Sequence, residues 1–307
     1  MRILFMGTPE FAVPSLEALI QAGHQICGVF CQPDKPVGRH QNQLQAPPVK
    51  ECALSHNIPV FQPTKLRDGT ALAQIQALEP ELIVVAAYGR LLPKEILDCP
   101  PKGCINVHSS LLPKYRGAAP INWAILNGER ETGVTIMYMA EALDAGDIIA
   151  QAATPIEPNE TAGELTARLA QIGGELLAQT VETIRKGTVQ RKTQDEALVS
   201  LAPMLSKELS PLNFEDPAQT LHDQVRGLLP WPTATAMIKG TRCKIYATRA
   251  EEGAGLPGTV LAAGNDGILV ACGQGALRIM ELQPDGGKRM MAGAYLQGHP
   301  IRVGEML

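Results

Sequence analysis

The sequence predicts an α/β protein with a doubly wound sheet in its first part and a small β-barrel in its second. Strand-like and helix-like runs alternate up to residue 189, whereas short strand-like runs separated by glycine-containing turns follow Pro230-Trp231-Pro232. The chain has 307 residues, of which 45% are hydrophobic. Since a domain usually takes ~100–200 residues, this length fits two domains.

The first elements form a βαβ unit. RILFMG and QICGVFC are short runs with strand propensity. Between them, PEFAVPSLEALIQAGH places apolar residues at helical spacing before a stop at Gly23. This order favours a parallel pair of strands connected by a helix.

The same alternation continues along the first part. ALAQIQAL predicts a helix, and ELIVVAAYG is the near-continuous apolar run typical of a strand buried on both faces. CINVH predicts the next strand, after a short PKEIL helix, and residues 131–157 predict strands around a loop. The amphipathic run from Thr161 to Gly187 predicts one long helix that closes the domain.

The second part has a different pattern. Residues 190–218 are polar and contain several prolines, as expected of a linker that partly folds, and TLHDQVRGLL predicts a helix. Five strand-like runs follow, which suggest a small barrel such as an oligonucleotide-binding fold: TATAMIKG, RCKIYATRA, GTVLAAG, GILVACG and ALRIMELQ.

Composition excludes some classes of function. The net charge of −4 excludes a strongly basic nucleic-acid binder but allows local basic patches. The longest apolar run, Leu82 to Ala87, is too short to span a membrane, and no signal peptide is evident, so we expect a cytoplasmic protein. Seven cysteines without CxxC spacing suggest reduced thiols in the core.

Common cofactor motifs are missing from the sequence. FMGTPEF has one glycine where a dinucleotide-binding turn needs three, and there is no phosphate-loop or HExxH motif. The six histidines are scattered, so no metal site is expected.

An amide and an imidazole stand two residues apart at the end of a predicted strand. Asn106 and His108 share a face because strand side chains alternate with period two, so both can address one atom above the sheet edge. Asp144 and Asp147 lie in a predicted loop, from which a carboxylate could orient the ring and move a proton. The alternatives are a hydrogen-bonded pair that caps the strand and, for Asp147, an ordinary turn residue.

Residues 105–148, from INVHSSLLPKYRG to EALDAGDI, resemble the signature of the folate-dependent formyltransferase family. Asn106, His108 and Asp144 fall on the catalytic triad of that family. The resemblance extends over the chain through RILFMGTPEFAVPSLEAL, QPDKPVGR, APMLSKE, PWP and LQPDGGKRM.

This resemblance implies a Rossmann-like formyltransferase domain over 1–189, a linker over 190–208 and an oligonucleotide-binding-like barrel over 209–307 that contacts tRNA. It implies 10-formyltetrahydrofolate as the formyl donor and initiator methionyl-tRNA as the acceptor. We further expect a monomer, and no metal. The folate site implied by the resemblance comprises Tyr88, Gly89, Leu91, Leu92, Ser110, Leu111, Leu112 and Pro113.

The triad alone leaves the acceptor open between three classes of formyltransferase. A sugar-nucleotide formyltransferase shares the LLPKYRG-type core, and a glycinamide ribonucleotide formyltransferase shares the triad. The insert QPDKPVGRHQNQLQAPPVK is long for a connection between a strand and a helix, and its resemblance to the corresponding loop of tRNA formyltransferases favours a tRNA acceptor. The resemblance implies that Arg39 in this insert binds tRNA.

Residues 190–307 carry 12 basic and 12 acidic residues. Further tRNA contacts must therefore come from local clusters of basic residues, namely Lys239, Arg242, Lys244 and Arg249, or Lys288 and Arg289.

Overall fold

The computed structural model describes residues 1–37 and 43–307. The chain divides into two compact units. Unit 1 comprises Met1–Pro120, Thr132–Thr154 and Thr166–Ala202, and unit 2 comprises Ile121–Glu131, Pro155–Leu165 and Pro203–Leu307.

Strands and helices alternate up to Ala202. The strands are β1 Arg2–Gly7, β2 Gln25–Phe30, β3 Lys35–Val37, β4 Gln43–Gln45, β5 Val60–Phe61, β6 Leu82–Ala86, β7 Cys104–His108, β8 Arg116–Gly117, β9 Glu131–Tyr138, β10 Ile148–Pro155 and β11 Leu201–Ala202. The helices are α1 Val13–Gln21, α2 Pro48–Ser55, α3 Thr70–Leu78, α4 Lys94–Leu97, α5 Pro120–Leu126 and α6 Ala162–Lys186.

A seven-stranded sheet in the order β10-β9-β7-β6-β1-β2-β5 forms the centre of unit 1. The pairs that join β5, β2, β1, β6 and β7 are parallel, and β9 runs antiparallel to β7 with His108 opposite Thr135. All five residues of β6 are buried, as its continuous apolar run predicts. The predicted α/β fold class is thus confirmed, and the carboxyl ends of the parallel strands meet at one edge.

The long helix α6 begins at a capping box. The Thr161 hydroxyl accepts a hydrogen bond from the Glu164 amide, and the Glu164 carboxylate accepts one from the Thr161 amide. Gly173 and Gly174 allow close packing in the middle of the helix, since a Cβ on Gly174 would lie 2.8 Å from the Pro14 carbonyl oxygen.

Unit 2 contains the helices α7 Ala218–Gly227 and α8 Ala292–Gly298. Its strands are β12 Ala234–Ile238, β13 Thr241–Glu251, β14 Val260–Gly264, β15 Gly267–Ala271, β16 Ala276–Pro284 and β17 Met290–Met291. They form an antiparallel sheet in the order β12-β13-β16-β15-β14, with β17 beside β16. The five predicted strands are therefore present, whereas β17 and α8 were not predicted.

The first half of the predicted linker is hydrogen-bonded to unit 1. The backbone of Lys192 pairs with that of Ile148, and β11 pairs with β8 in parallel. Gln194 is only 6% exposed. The polar composition of this stretch reflects side chains that bond to other parts of unit 1. The domain boundaries at 189/190 and 208/209 stay predictions.

Candidate active site

The two polar side chains of β7 lie where the sequence predicts them, at the carboxyl end of a central strand. His108 is buried and Asn106 is half-buried, while their neighbours on the strand, Ile105 and Val107, are in the core. The Asn106 amide makes no hydrogen bond to any of the residues that the structure describes. It therefore has two donors and one acceptor available for a ligand.

The orientation of the His108 ring follows from its two neighbours. Its Nε2 lies 2.9 Å from the carbonyl oxygen of Tyr115. Because a carbonyl oxygen only accepts, Nε2 carries a hydrogen and donates it. Nδ1 lies 3.7 Å from Oδ2 of Asp144, an ion-pair distance longer than a hydrogen bond. Nδ1 is therefore the ring nitrogen that is available to take up a proton beside a carboxylate.

Asp144 occupies the loop between β9 and β10 with an unusual backbone conformation. Its φ of 50° lies in the left-handed region, which is uncommon for a residue other than glycine. Oδ2 accepts a hydrogen bond of 2.9 Å from the amide of Gly117. Asp147, three residues further along the chain, accepts a hydrogen bond from Thr193 on the exposed surface. The structure thus brings Asp144, and not Asp147, to the histidine.

The loop that connects β9 to β10 passes very close to the end of β9. A Cβ added to Gly146 would lie 1.8 Å from the carbonyl oxygen of Tyr138. Only glycine allows this approach, which places Asp144 over the sheet edge.

The segment 110–113 is held by hydrogen bonds within unit 1. The Ser110 hydroxyl donates to the Lys114 carbonyl at 2.6 Å, and the Ser110 carbonyl accepts from the Thr135 hydroxyl at 2.6 Å. The Gln151 amide donates to the Leu112 carbonyl at 2.9 Å. The Ser110 side chain therefore stabilises its own loop. Tyr115, whose carbonyl oxygen orients His108, comes directly after the Lys114 carbonyl that this side chain binds.

The apolar members of this segment differ in exposure. Leu112 is buried in a cluster with Met137 and Ile148. Leu111 and Pro113 are half-buried, and Leu111 contacts Gly133. Of these residues, Leu111 and Pro113 are the ones that present apolar surface outside the core.

The segment 88–92 lies at the neighbouring strand end. Tyr88 is part of the core, where its hydroxyl has no hydrogen-bond partner among the described residues and where burial raises its pKa to about 12. Gly89 has a φ of 83°. Leu91 and Leu92 line a small cavity of about 30 Å³ together with Asn106 and Asp144. The structure thus places the two leucines beside Asn106 and Asp144 and directs the Tyr88 ring into the core.

Sequence reasoning missed three groups that orient the triad. These are the Tyr115 carbonyl, the Gly117 amide and the side chain of Gln194, which donates to the carbonyls of Asp144 and Gly146 at 2.8 Å each. Two of the three act through the backbone, which no residue type signals. Arg39 lies outside the described residues.

Most basic side chains that the sequence offered for tRNA binding in unit 2 have an acidic partner. The ion pairs are Lys239–Glu305, Arg242–Asp285, Arg249–Glu251 and Arg289–Glu281. Within the part of the chain that the structure describes, Lys244 and Lys288 have no such partner. These two lysines are therefore the members of the clusters whose charge is not offset by a neighbouring carboxylate.

Residues 1–37 and 43–307 contain no group of three or more His, Cys, Asp or Glu that could hold a metal ion. None of the helices in these ranges has the length and apolarity required to cross a membrane.

Known proteins match both parts of the chain. The model of the formyl transferase family matches residues 1–181, and that of the formyl transferase C-terminal domain matches residues 204–300. The first of these matches covers more than half of the chain, so the chain is a member of the formyl transferase family.

The full-length relatives identify the branch of this family. The methionyl-tRNA formyltransferase of Trichlorobacter lovleyi is 50% identical over 306 residues, which cover 100% of this chain and 96% of the relative. That of Moorella thermoacetica is 50% identical over 309 residues, which cover 100% and 99%. The chain belongs to the methionyl-tRNA formyltransferase family and is an enzyme, a transferase of formyl groups.

Solved structures share the fold at lower identity. An N-formyltransferase from Helicobacter canadensis, in complex with folinic acid and dTDP-3-aminofucose, superposes with a TM-score of 0.69 at 20% identity and covers 90% of this chain and 98% of its own. HypX from Aquifex aeolicus, in complex with tetrahydrofolic acid, superposes with a TM-score of 0.63 at 20% identity and covers 96% of this chain. The chain spans 47% of HypX. These likenesses concern the fold alone.

Proposed function

We propose that the protein transfers the formyl group of 10-formyltetrahydrofolate to the α-amine of methionine on initiator tRNA. The observation that carries this proposal is the 50% identity to methionyl-tRNA formyltransferases over the whole chain, both domains included. The arrangement of Asn106, His108 and Asp144 supports it, because direct formyl transfer needs donors and a proton acceptor at one point.

The reaction exchanges one carbon–nitrogen bond for another. The neutral amine of methionine attacks the formyl carbon, a new C–N bond forms, and the bond from that carbon to N10 of the folate breaks. One proton leaves the amine and one is taken up by the folate nitrogen, so tetrahydrofolate departs. The protein must therefore stabilise an oxyanion and move a proton.

Asn106 is suited to meet the oxyanion. Its amide has no partner among the described residues, and it borders the cavity that Asp144 also lines. A preorganised donor in a site that excludes water is worth on the order of 10²–10³ in rate. The amide can donate to the oxyanion without first losing another hydrogen bond.

His108 and Asp144 form the proton-handling pair of the proposal. Nε2 is engaged with the Tyr115 carbonyl, so Nδ1 is the nitrogen that accepts the proton of the attacking amine and, once protonated, donates to the oxyanion. When Nδ1 carries that proton the ring is positively charged, and the Asp144 carboxylate at 3.7 Å stabilises it. Positioned acid–base groups of this type typically contribute about 10²–10⁴ in rate.

The walls of the cavity fit a flat pterin ring in chemistry, since Leu91, Leu92 and Met137 are apolar and Asn106 and Asp144 are polar. The cavity volume of about 30 Å³ accommodates one water molecule.

We propose that folate binding widens this cavity by separating the loops 88–92 and 139–144. Leu91 and Leu143 on these loops are 60% and 55% exposed, so their displacement removes little packing.

A comparison of acceptors tests the proposal. The purified protein is incubated with labelled 10-formyltetrahydrofolate and either initiator methionyl-tRNA or a dTDP-amino-sugar. We expect label in the methionyl-tRNA, at a kcat/KM at least about a hundredfold above that for the sugar nucleotide. The reason is that the family resemblance implies contacts to tRNA from the insert and from unit 2. Preferential formylation of the amino-sugar contradicts the proposed acceptor.

A further inference from the structure

The backbone around Asp144 is held by one buried glutamine. Gln194 is 6% exposed, and its Nε2 donates to the carbonyls of Asp144 and Gly146 at 2.8 Å each. Asp144 has a φ of 50°, a conformation that persists in a residue other than glycine only where its surroundings enforce it. Gln194 supplies two of the hydrogen bonds that enforce it.

The amide of Gln194 has one possible orientation. Its Oε1 accepts from Nε of Arg116 at 3.0 Å and from Nη2 at 2.8 Å. A guanidinium only donates and a carbonyl only accepts. Rotating the amide by half a turn would place its NH2 group against the Arg116 donors and its oxygen against the two backbone carbonyls. The bonds of Gln194 are thus complete, and its two donors stay directed at the Asp144 loop.

Arg116, which orients Gln194, lies between the two residues whose backbone groups orient His108 and Asp144. Arg116 is 8% exposed, and its guanidinium bonds Gln194 and the Glu196 carboxylate. The residue before it, Tyr115, supplies the carbonyl for His108, and the residue after it, Gly117, supplies the amide for Asp144.

The position of segment 115–117 is set by the stretch that contains Gln194. The amide of Tyr115 donates to the Ser200 hydroxyl at 2.9 Å, and the amide of Arg116 donates to the Ser200 carbonyl at 2.9 Å. Gln194 therefore connects the two loops whose separation sets the distance between His108 and Asp144.

We infer that Gln194, oriented by Arg116, is a positioning residue for catalysis, which holds Asp144 at His108 without touching either substrate. This inference rests on the proposed function, since it assigns Asp144 a part in formyl transfer. If Gln194 acts through Asp144, its loss lowers turnover and leaves the binding of substrates nearly unchanged. It also has little further effect once the Asp144 carboxylate is already removed.

The test compares Gln194→Leu with a matched glutamine. Gln224 also donates through Nε2 to two carbonyls, those of Leu209 and Pro211 at 2.8 and 3.1 Å, but lies in unit 2. Formylation of methionyl-tRNA is measured for the wild type, Gln194→Leu, Gln224→Leu, Asp144→Asn and the double variant Gln194→Leu with Asp144→Asn, together with melting temperatures and equilibrium binding of tetrahydrofolate.

We expect kcat of Gln194→Leu to fall at least about tenfold with KM values within threefold, kcat of Gln224→Leu to stay within threefold of wild type, and the double variant to match Asp144→Asn. Equal losses in the two glutamine variants, or a further tenfold loss in the double variant, would overturn the inference in favour of a general structural role.

If Gln194→Leu does not fold, Gln194→Asn keeps the amide but withdraws it by one methylene, and it is expected to show an intermediate kcat. A wild-type kcat in Gln194→Asn would overturn the inference. An inactive wild-type protein would instead contradict the proposed function itself, so the two failures are distinguishable.

Discussion

Replacing Gly146 by alanine changes the position of Asp144 without altering any polar group. Gly146 follows Asp144 by two residues, and a Cβ at this position would lie 1.8 Å from the carbonyl oxygen of Tyr138. The neighbouring amide of Tyr138 donates to the Asp147 carbonyl at 2.9 Å, so the loop is fixed to β9 at this point. The substitution therefore forces the loop away from the strand.

The size of the displacement follows from the contact distance. Real Cβ atoms essentially never lie closer than 3.0 Å to another heavy atom, so a separation of 1.8 Å must grow by about 1.2 Å. The contact is with a backbone atom, so no side-chain rotation can relieve it. A misplacement of about 1 Å in a catalytic group lowers the rate about a hundredfold.

The assay is single-turnover formylation of methionyl-tRNA with the protein in excess, together with the melting temperature of each variant. We expect Gly146→Ala to lower the rate about a hundredfold while the chain stays folded. Gly264→Ala is the matched control, because an added Cβ there meets nothing within 4 Å. A rate within threefold of wild type for Gly146→Ala would refute the argument that loop position governs Asp144.

Further predictions concern the insert, unit 2 and pH. Arg39→Ala is expected to lower kcat/KM for initiator tRNA strongly, with Arg39→Lys restoring part of it and tetrahydrofolate binding unchanged, because a guanidinium grips phosphates and base edges in bidentate fashion; unchanged tRNA kinetics would exclude this role. A chain that ends at Ala202 should keep tetrahydrofolate binding and lose most of its salt-dependent tRNA affinity; equal affinity in both chains would contradict a tRNA contact in unit 2. Burial lowers the pKa of His222, which bonds Thr248 and the Pro158 carbonyl. Because the unfolded state then binds the proton better, the free energy of unfolding should fall as pH decreases below about 6.5, and less so in His222→Gln; identical pH dependence in both proteins would show that His222 is not responsible.

The parts of the fold that depend on local pattern were predictable from the sequence. The continuous apolar run of β6 and the period-two placement of Asn106 and His108 on β7 are properties of neighbouring residues. The same holds for the long helix α6, which the amphipathic run from Thr161 to Gly187 predicts. In each case the residues that determine the element are the residues that form it.

The groups that complete the site depend on contacts distant in sequence. Gln194 bonds the carbonyl of Asp144 across 50 residues, and a polar stretch of this type has the composition of a linker. The Ser110 hydroxyl bonds within its own loop, a role that residue type alone does not distinguish from a ligand contact. Pairing and burial, which decide both cases, emerge only from the folded chain.

The central claim is that Asn106, His108 and Asp144 together carry formyl transfer. The most direct test is the single-turnover rate from labelled 10-formyltetrahydrofolate to initiator methionyl-tRNA in the wild type and in Asn106→Ala, His108→Ala and Asp144→Ala, with folding checked by circular dichroism. We expect at least about a hundredfold loss in each variant with the fold intact. A folded variant with near-normal turnover would remove that residue from the site and contradict the claim.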